Sequence, residues 1–232
     1  NILMLKVPGS DTLKDTEINS IIDLLAKDYN AERIYQMQNV QPFIASEIKQ
    51  KGIKAVLVAS ALIILYIWWR FSTISGLPAA LTALVALLHD AAVMLSAYTV
   101  FQIPLNETFI AAVLTILGYS LNNTIIIYDR IRENSSKMRK VPVDELVNKS
   151  ILQSLTRTIN TSVTTLVAII IVYVFASINN IQSIKEFAFP LIIGLISGTY
   201  SSLFIAPPLW MMWKQRETKE RIMTRQIKAK TR

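Results

Sequence analysis

The chain has 232 residues, 52% of them hydrophobic and only 17% charged, with a mean hydropathy of +0.41. So apolar a composition excludes an ordinary soluble domain of this length and indicates a membrane protein. Cysteine is absent, which rules out disulfides and thiolate metal sites. The net charge of +8 is uneven: residues 1–54 carry seven basic and seven acidic side chains, whereas residues 214–232 carry eight basic and two acidic. No aromatic interleaving or RNA-binding signature accompanies the basic tail, so no nucleic acid is expected as a partner, and membrane lipids are.

The N-terminal 43 residues contain polar and amphipathic stretches with no targeting or anchoring segment, and the chain begins with Asn1, so it reads as the later part of a longer protein. Residues 1–43 are expected to be the C-terminal part of an extracytoplasmic α+β domain. ILMLKV has the character of a short strand, Ser10 can cap a helix reaching Asn30, and ERIYQMQNV alternates like a second strand. This β-α-β order fits part of a small ferredoxin-like fold. After Pro42, residues 44–50 are expected to open a linking helix with Ser46 as its cap.

A transmembrane helical domain is expected over 44–213, because five apolar runs follow, at about 53–69, 77–101, 108–128, 155–176 and 187–213. Each is near the ~20 residues that cross a ~30 Å hydrocarbon core, and only helices satisfy their own backbone there. Residues 214–232 form a basic tail. Arg130, Arg132, Lys137, Arg139, Lys140 and Lys149 crowd one loop, so that loop and the C-terminus are cytoplasmic by the positive-inside rule. Five spans then place the N-terminal domain outside, which predicts one further helix upstream and six in the full chain.

Several polar residues interrupt the apolar runs. Asn122 and Asn123 lie in the third, Arg157 in the fourth, and His89 with Asp90 near the middle of the second. Intramembrane ionisable groups are expensive and mark ion paths or functional pairs. Helical spacing puts Asn160, Thr161 and Thr164 with Arg157, and Tyr119 and Ser120 beside Asn123, so two facing polar stripes are expected. Against this stands plain structure: Arg157 snorkelling and asparagines tying helices together. Gly118, Gly194 and Gly198 suggest small faces for close helix packing. Pro190, Pro207 and Pro208 are expected to kink or end the last helix.

The stretch GYSLNNTIIIYDRIREN resembles the SecF family of the bacterial SecD/SecF protein-export complex, whose pattern there is G-Y-S-[IL]-N-D-T, an apolar triplet, then [FY]-D-R-I-R-E-N. LHDAAV, SLTRTINTSVTTL and IGLISGTYSSLFIAPPL are similar to further motifs of that family, and the resemblance covers residues from about Val40 to Trp213. It implies an RND-like half-transporter of six helices in the bacterial cytoplasmic (inner) membrane, with no enzymatic chemistry and no cofactor or metal. It also implies use of the proton or sodium gradient to assist preprotein export, with SecD, the SecYEG channel with SecA, the preprotein and YajC as partners.

By the same resemblance Arg157 matches the arginine of an ion relay, and Asp129, Arg130, Arg132 and Glu133 match the cytoplasmic motif. Gln41 with Pro42 stands where the family often has Gly-Pro. Asn123 also departs from the pattern, standing where the family carries an aspartate, and an amide cannot take and release a proton in the useful range. A deliberate mimic of a protonated Asp, reliance on the partner's carboxylate, and altered ion use are all open, with Asp90 as a substitute carrier. An RND-type exporter of lipids or small molecules and a passive scaffold for SecD and the channel are the rival functions.

Overall fold

A computed structural model describes Ser20, Asp23 and residues 42–103, 105–138 and 141–230. The chain divides into two units, Asn1–Lys51 and Gly52–Arg232. In the first, Ser20 and Asp23 are helical, and a helix begins at Pro42. Six long helices follow one another: α1 (Pro42–Arg70), α2 (Gly76–Val100), α3 (Glu107–Lys137), α4 (Val143–Ile178), α5 (Gln182–Phe204) and α6 (Ala206–Lys230), with a 3-10 turn at Ser72–Ile74.

Every regular element among the described residues is helical, and none is a strand. This corrects the expected fold class: the described structure is an all-helical membrane bundle without an α+β ferredoxin-like part. The expected strands, at 2–7 and 32–40, lie outside the described residues. Alternation over so few residues is a weak signal, since a strand also needs a partner to pair with. Ser46 is a second correction, for it sits inside α1 and not at its cap. Pro42 opens that helix, where its missing N–H costs nothing.

Five candidate spans are present, Gln50–Arg70, Gly76–Val100, Glu107–Lys137, Val143–Ile178 and Gln182–Glu220. The helices run past the apolar cores at the end where α3 turns into α4. The basic loop shrinks to a turn between Lys137 and Val143 because charge pairs extend α3: Arg132 with Asp129 at 2.8 Å, Arg130 with Glu133 at 2.7 Å, and Lys137 with Glu133 at 2.6 Å. Asp144 and Glu145 suit the first turn of α4, where carboxylates complement the helix dipole. At the other end of α3, the Asn106 side chain caps the Phe109 N–H at 3.1 Å and donates to Glu186 Oε2 at 2.6 Å.

Helix α5 is packed against α2, α3 and α4. Its glycines permit this: a Cβ at Gly194 would lie 2.5 Å from Ile116 Cγ1 of α3 and 2.9 Å from Met94 Sδ of α2. Gly118 behaves otherwise, since a Cβ there would meet nothing of this chain within 4 Å. Between α5 and α6 the helix breaks at Ile205. Pro207 and Pro208 cannot supply the N–H groups that would bond the carbonyls four residues back.

Two apolar clusters result. One gathers Ile67, Phe71, Ala79, Ala83, Ile127, Ile131, Leu203 and Trp210; the other gathers Leu87, Met94, Val113, Ile116, Leu191 and Leu195. By contrast, Leu57, Leu62, Trp69, Ile171 and Phe175 on α1 and α4 face outward, as lipid-covered side chains do.

Candidate functional site

Most buried polar residues of α3 and α5 fall between the stretches that feed the two apolar clusters, Ser120, Asn123 and Thr124 on α3 and Ser197, Ser201 and Ser202 on α5, while Asn134 of α3 lies beyond them and donates to Ser150 and Gln153 of α4. Asp90 of α2 joins this layer. Its carboxylate is fully buried, and three serine hydroxyls donate to it. Ser197 Oγ reaches Oδ1 at 2.7 Å, while Ser120 Oγ and Ser201 Oγ reach Oδ2 at 2.6 and 2.8 Å. His89 Nδ1 stands 3.3 Å from Oδ1. Gly198 makes room, since a Cβ there would come within 3.0 Å of Ser120 Cβ and 3.5 Å of Asp90 Oδ2. Donors from two neighbouring helices thus answer the need of a buried carboxylate for hydrogen bonds.

Asn123 is also fully buried, yet both its amide nitrogen and its amide oxygen lack a partner among the described residues. Thr158 Oγ1 of α4 shares this state. Asn122, one residue before it, is exposed, because adjacent helical residues point about 100° apart.

Arg157 is not brought to Asn123. The face that α4 turns inward carries Ser154, Thr158 and Ser162 at four-residue spacing, whereas Arg157, Asn160, Thr161 and Thr164 are exposed. The expected confrontation of two polar stripes is corrected accordingly: the two faces are offset by one residue. Contact across the bundle runs instead through Ser162 Oγ, which receives the Tyr119 hydroxyl at 3.2 Å and lies 2.8 Å from Thr199 Oγ1. Ser197 and Ser201 were not singled out from the sequence. The signal available was their four-residue spacing beside Gly194 and Gly198, opposite an acid that had to find donors.

Towards the C-terminal end of α3, Asp129 receives Arg70 Nη2 on both oxygens at 3.0 Å, so the motif ties α1 to α3. Among the described residues no cluster of three metal-ligating side chains occurs.

A buried polar layer crossing a bundle of apolar helices is the architecture of a multi-pass membrane protein with an intramembrane site. Residues 20–216 match the family model described as protein export membrane protein SecD/SecF, C-terminal. The chain belongs to that family. It is 42% identical over 95% of its length to the protein translocase subunit SecF of Alicyclobacillus acidocaldarius, of which it covers 70%. It is 36% identical over 90% of its length to the SecF subunit of Helicobacter pylori, of which it covers 62%. The crystal structure of SecDF from Thermus thermophilus, a translocon-associated membrane protein, superposes with a TM-score of 0.77 at 34% identity, over 88% of this chain and 27% of that one.

Proposed function

We propose that this chain forms the transmembrane part of a SecF-type subunit that assists preprotein export across the bacterial cytoplasmic membrane, drawing on the proton or sodium gradient. The observation that carries this reading is the exposed polar stretch of α4, with Arg157, Asn160, Thr161 and Thr164 leading into the exposed apolar Val167, Ile171 and Phe175. A guanidinium facing hydrocarbon costs about 2.5 kcal/mol or more at a helix centre, and less nearer the interface. A partner carboxylate removes that cost. SecD is the partner whose relation to the relatives supports this, since the Thermus and Bacillus subtilis relatives are named SecDF.

In this reading Arg157 and Asn122 face SecD, and ion passage beside them biases the bundle between two arrangements. The bundle carries the extracytoplasmic part of the chain with it and so acts on a preprotein emerging from SecYEG and SecA, with YajC and lipids as neighbours. The C-terminus and the Asp129, Arg130, Arg132 and Glu133 motif are cytoplasmic. One charge moved across 100 mV supplies ~2.3 kcal/mol, enough to shift a two-state equilibrium severalfold per ion.

Asn123 favours a second reading, a passive scaffold for SecD and the channel, because an amide carries no proton. An Arg157→Met variant of the full-length complex separates the two. Retained co-purification with SecD and lost gradient-driven export support coupling; full export by the variant supports the scaffold.

A further inference from the structure

With Asn123 unable to ionise, Asp90 is the one acidic side chain buried among the described residues. We infer that Asp90 is a proton-exchanging site reached through His89, separate from the Arg157 face, and that its ionisation sets how firmly α5 is held to α2.

The geometry supplies each part. A carboxylate only accepts hydrogen bonds, and three donated hydroxyls at 2.6–2.8 Å fit its ionised form. A proton on Oδ1 or Oδ2 makes that oxygen a donor, so one serine must turn its own hydrogen elsewhere and accept instead. Ser201 has somewhere to turn: its hydroxyl already lies 3.3 Å from the Gly198 carbonyl of its own helix. Ser201 then donates within α5 and accepts from the Asp90 carboxyl, so protonation replaces one of the two charge-assisted α5 ties to Asp90 by a weaker neutral one.

Access runs through His89. Asp90 is 0% exposed, while the adjacent His89 side chain is 36% exposed and holds Nδ1 3.3 Å from Oδ1 and 3.5 Å from Ser197 Oγ. An imidazole can take a proton at one ring nitrogen and release one from the other, which leaves its own charge unchanged. The groups facing this pair are few. Ser120 comes from α3; Ser197, Ser201 and the Tyr200 ring, 6.1 Å from the His89 ring, come from α5. The described hydrogen bonds and ion pairs bring no lysine, arginine or second carboxylate to Asp90 from α3, α4, α5 or α6.

A proton fits this site better than an alkali ion. The three hydroxyl oxygens touch the carboxylate directly, and hydrogen-bonded oxygens leave no gap for an ion between them.

The test is infrared difference spectroscopy on the full-length complex in lipid nanodiscs, stepped from alkaline to acid pH in sodium-free buffer. A carboxyl C=O band is expected to grow on acidification, to vanish in Asp90→Asn, and to shift in Ser201→Ala, which keeps the carboxyl should Asp90→Asn fail to assemble. In His89→Gln the same band should grow at least about tenfold more slowly. A band indifferent to both Asp90→Asn and Ser201→Ala overturns the site. A response to sodium at fixed pH, with none to pH, overturns the choice of proton, and an unchanged rate in His89→Gln overturns the route. This readout does not involve export, so its failure and that of the proposed function are told apart.

Discussion

The Tyr98 hydroxyl donates at 2.9 Å to the carbonyl of Glu186, the carbonyl that Pro190 deprives of its helical donor four residues on. A proline inside a membrane helix leaves one acceptor unsatisfied, and hydrocarbon offers it nothing. Here a residue of α2 fills the gap and fixes α5 against it near the end of both helices. Tyr98→Phe removes the donor while keeping the ring against Phe109, whose centroid lies 4.5 Å away. It should destabilise the bundle by about 0.5–2 kcal/mol in steric-trap or denaturant unfolding. Pro190→Ala restores the N–H and should offset most of that loss in the double variant.

The glycines of α3 and α5 divide by the same kind of geometry. Gly194→Ala drives a methyl group into Ile116 and should cost about 1–3 kcal/mol. Gly198→Ala presses on Ser120 beside Asp90 and should also disturb the carboxylate cage. Gly118→Ala meets open space within the chain and should leave the stability of the subunit alone unchanged. Thermal unfolding of the three variants in detergent checks the order.

Much of this architecture was legible in the sequence, because twenty apolar residues in a row have one physical explanation in a membrane. The placement of Asp90 near the middle of its apolar run, and of Asn123 towards the end of its own, was legible too. The rotational phase of α4 was not. Arg157 and Thr158 differ by one residue and therefore by about 100°, and a helix rich in serine and threonine gives no sharp apolar stripe to fix which side faces inward. The cage around Asp90 was hidden for a related reason, since Ser197 and Ser201 look like small packing residues until the acid opposite is placed. Gly118 failed as a packing residue because a small side chain permits close approach but does not cause it. The helical ends of α3 and α4 were missed where charge pairs, not hydropathy, extend them.

Asn123 buries an amide whose two polar atoms have no partner among the described residues. In the isolated subunit, Asn123→Leu should leave stability unchanged or raise it by about 1 kcal/mol, since an unpaired buried polar group is a cost that the apolar residue lacks. A clear loss of stability would mean that the amide is engaged in the folded subunit.

Asp129 joins α1 to α3 through Arg70 at a partly exposed position. Asp129→Asn should cost less than about 1 kcal/mol, with the difference fading as salt is raised. Unfolding at low and high ionic strength measures it.

The central claim is that ion coupling passes the exposed Asn122 and Arg157 and involves a partner's carboxylate, with Asn123 buried next to Asn122 on α3. Gradient-driven preprotein export by the full-length complex in vesicles, with Asn123 and with Asn123→Asp, tests it most directly. The account predicts that the aspartate raises gradient-dependent export at equal assembly, because it adds a titratable group at the position where this chain has only an amide. Equal export by the two forms across a range of imposed gradients would contradict it and leave the scaffold reading in its place.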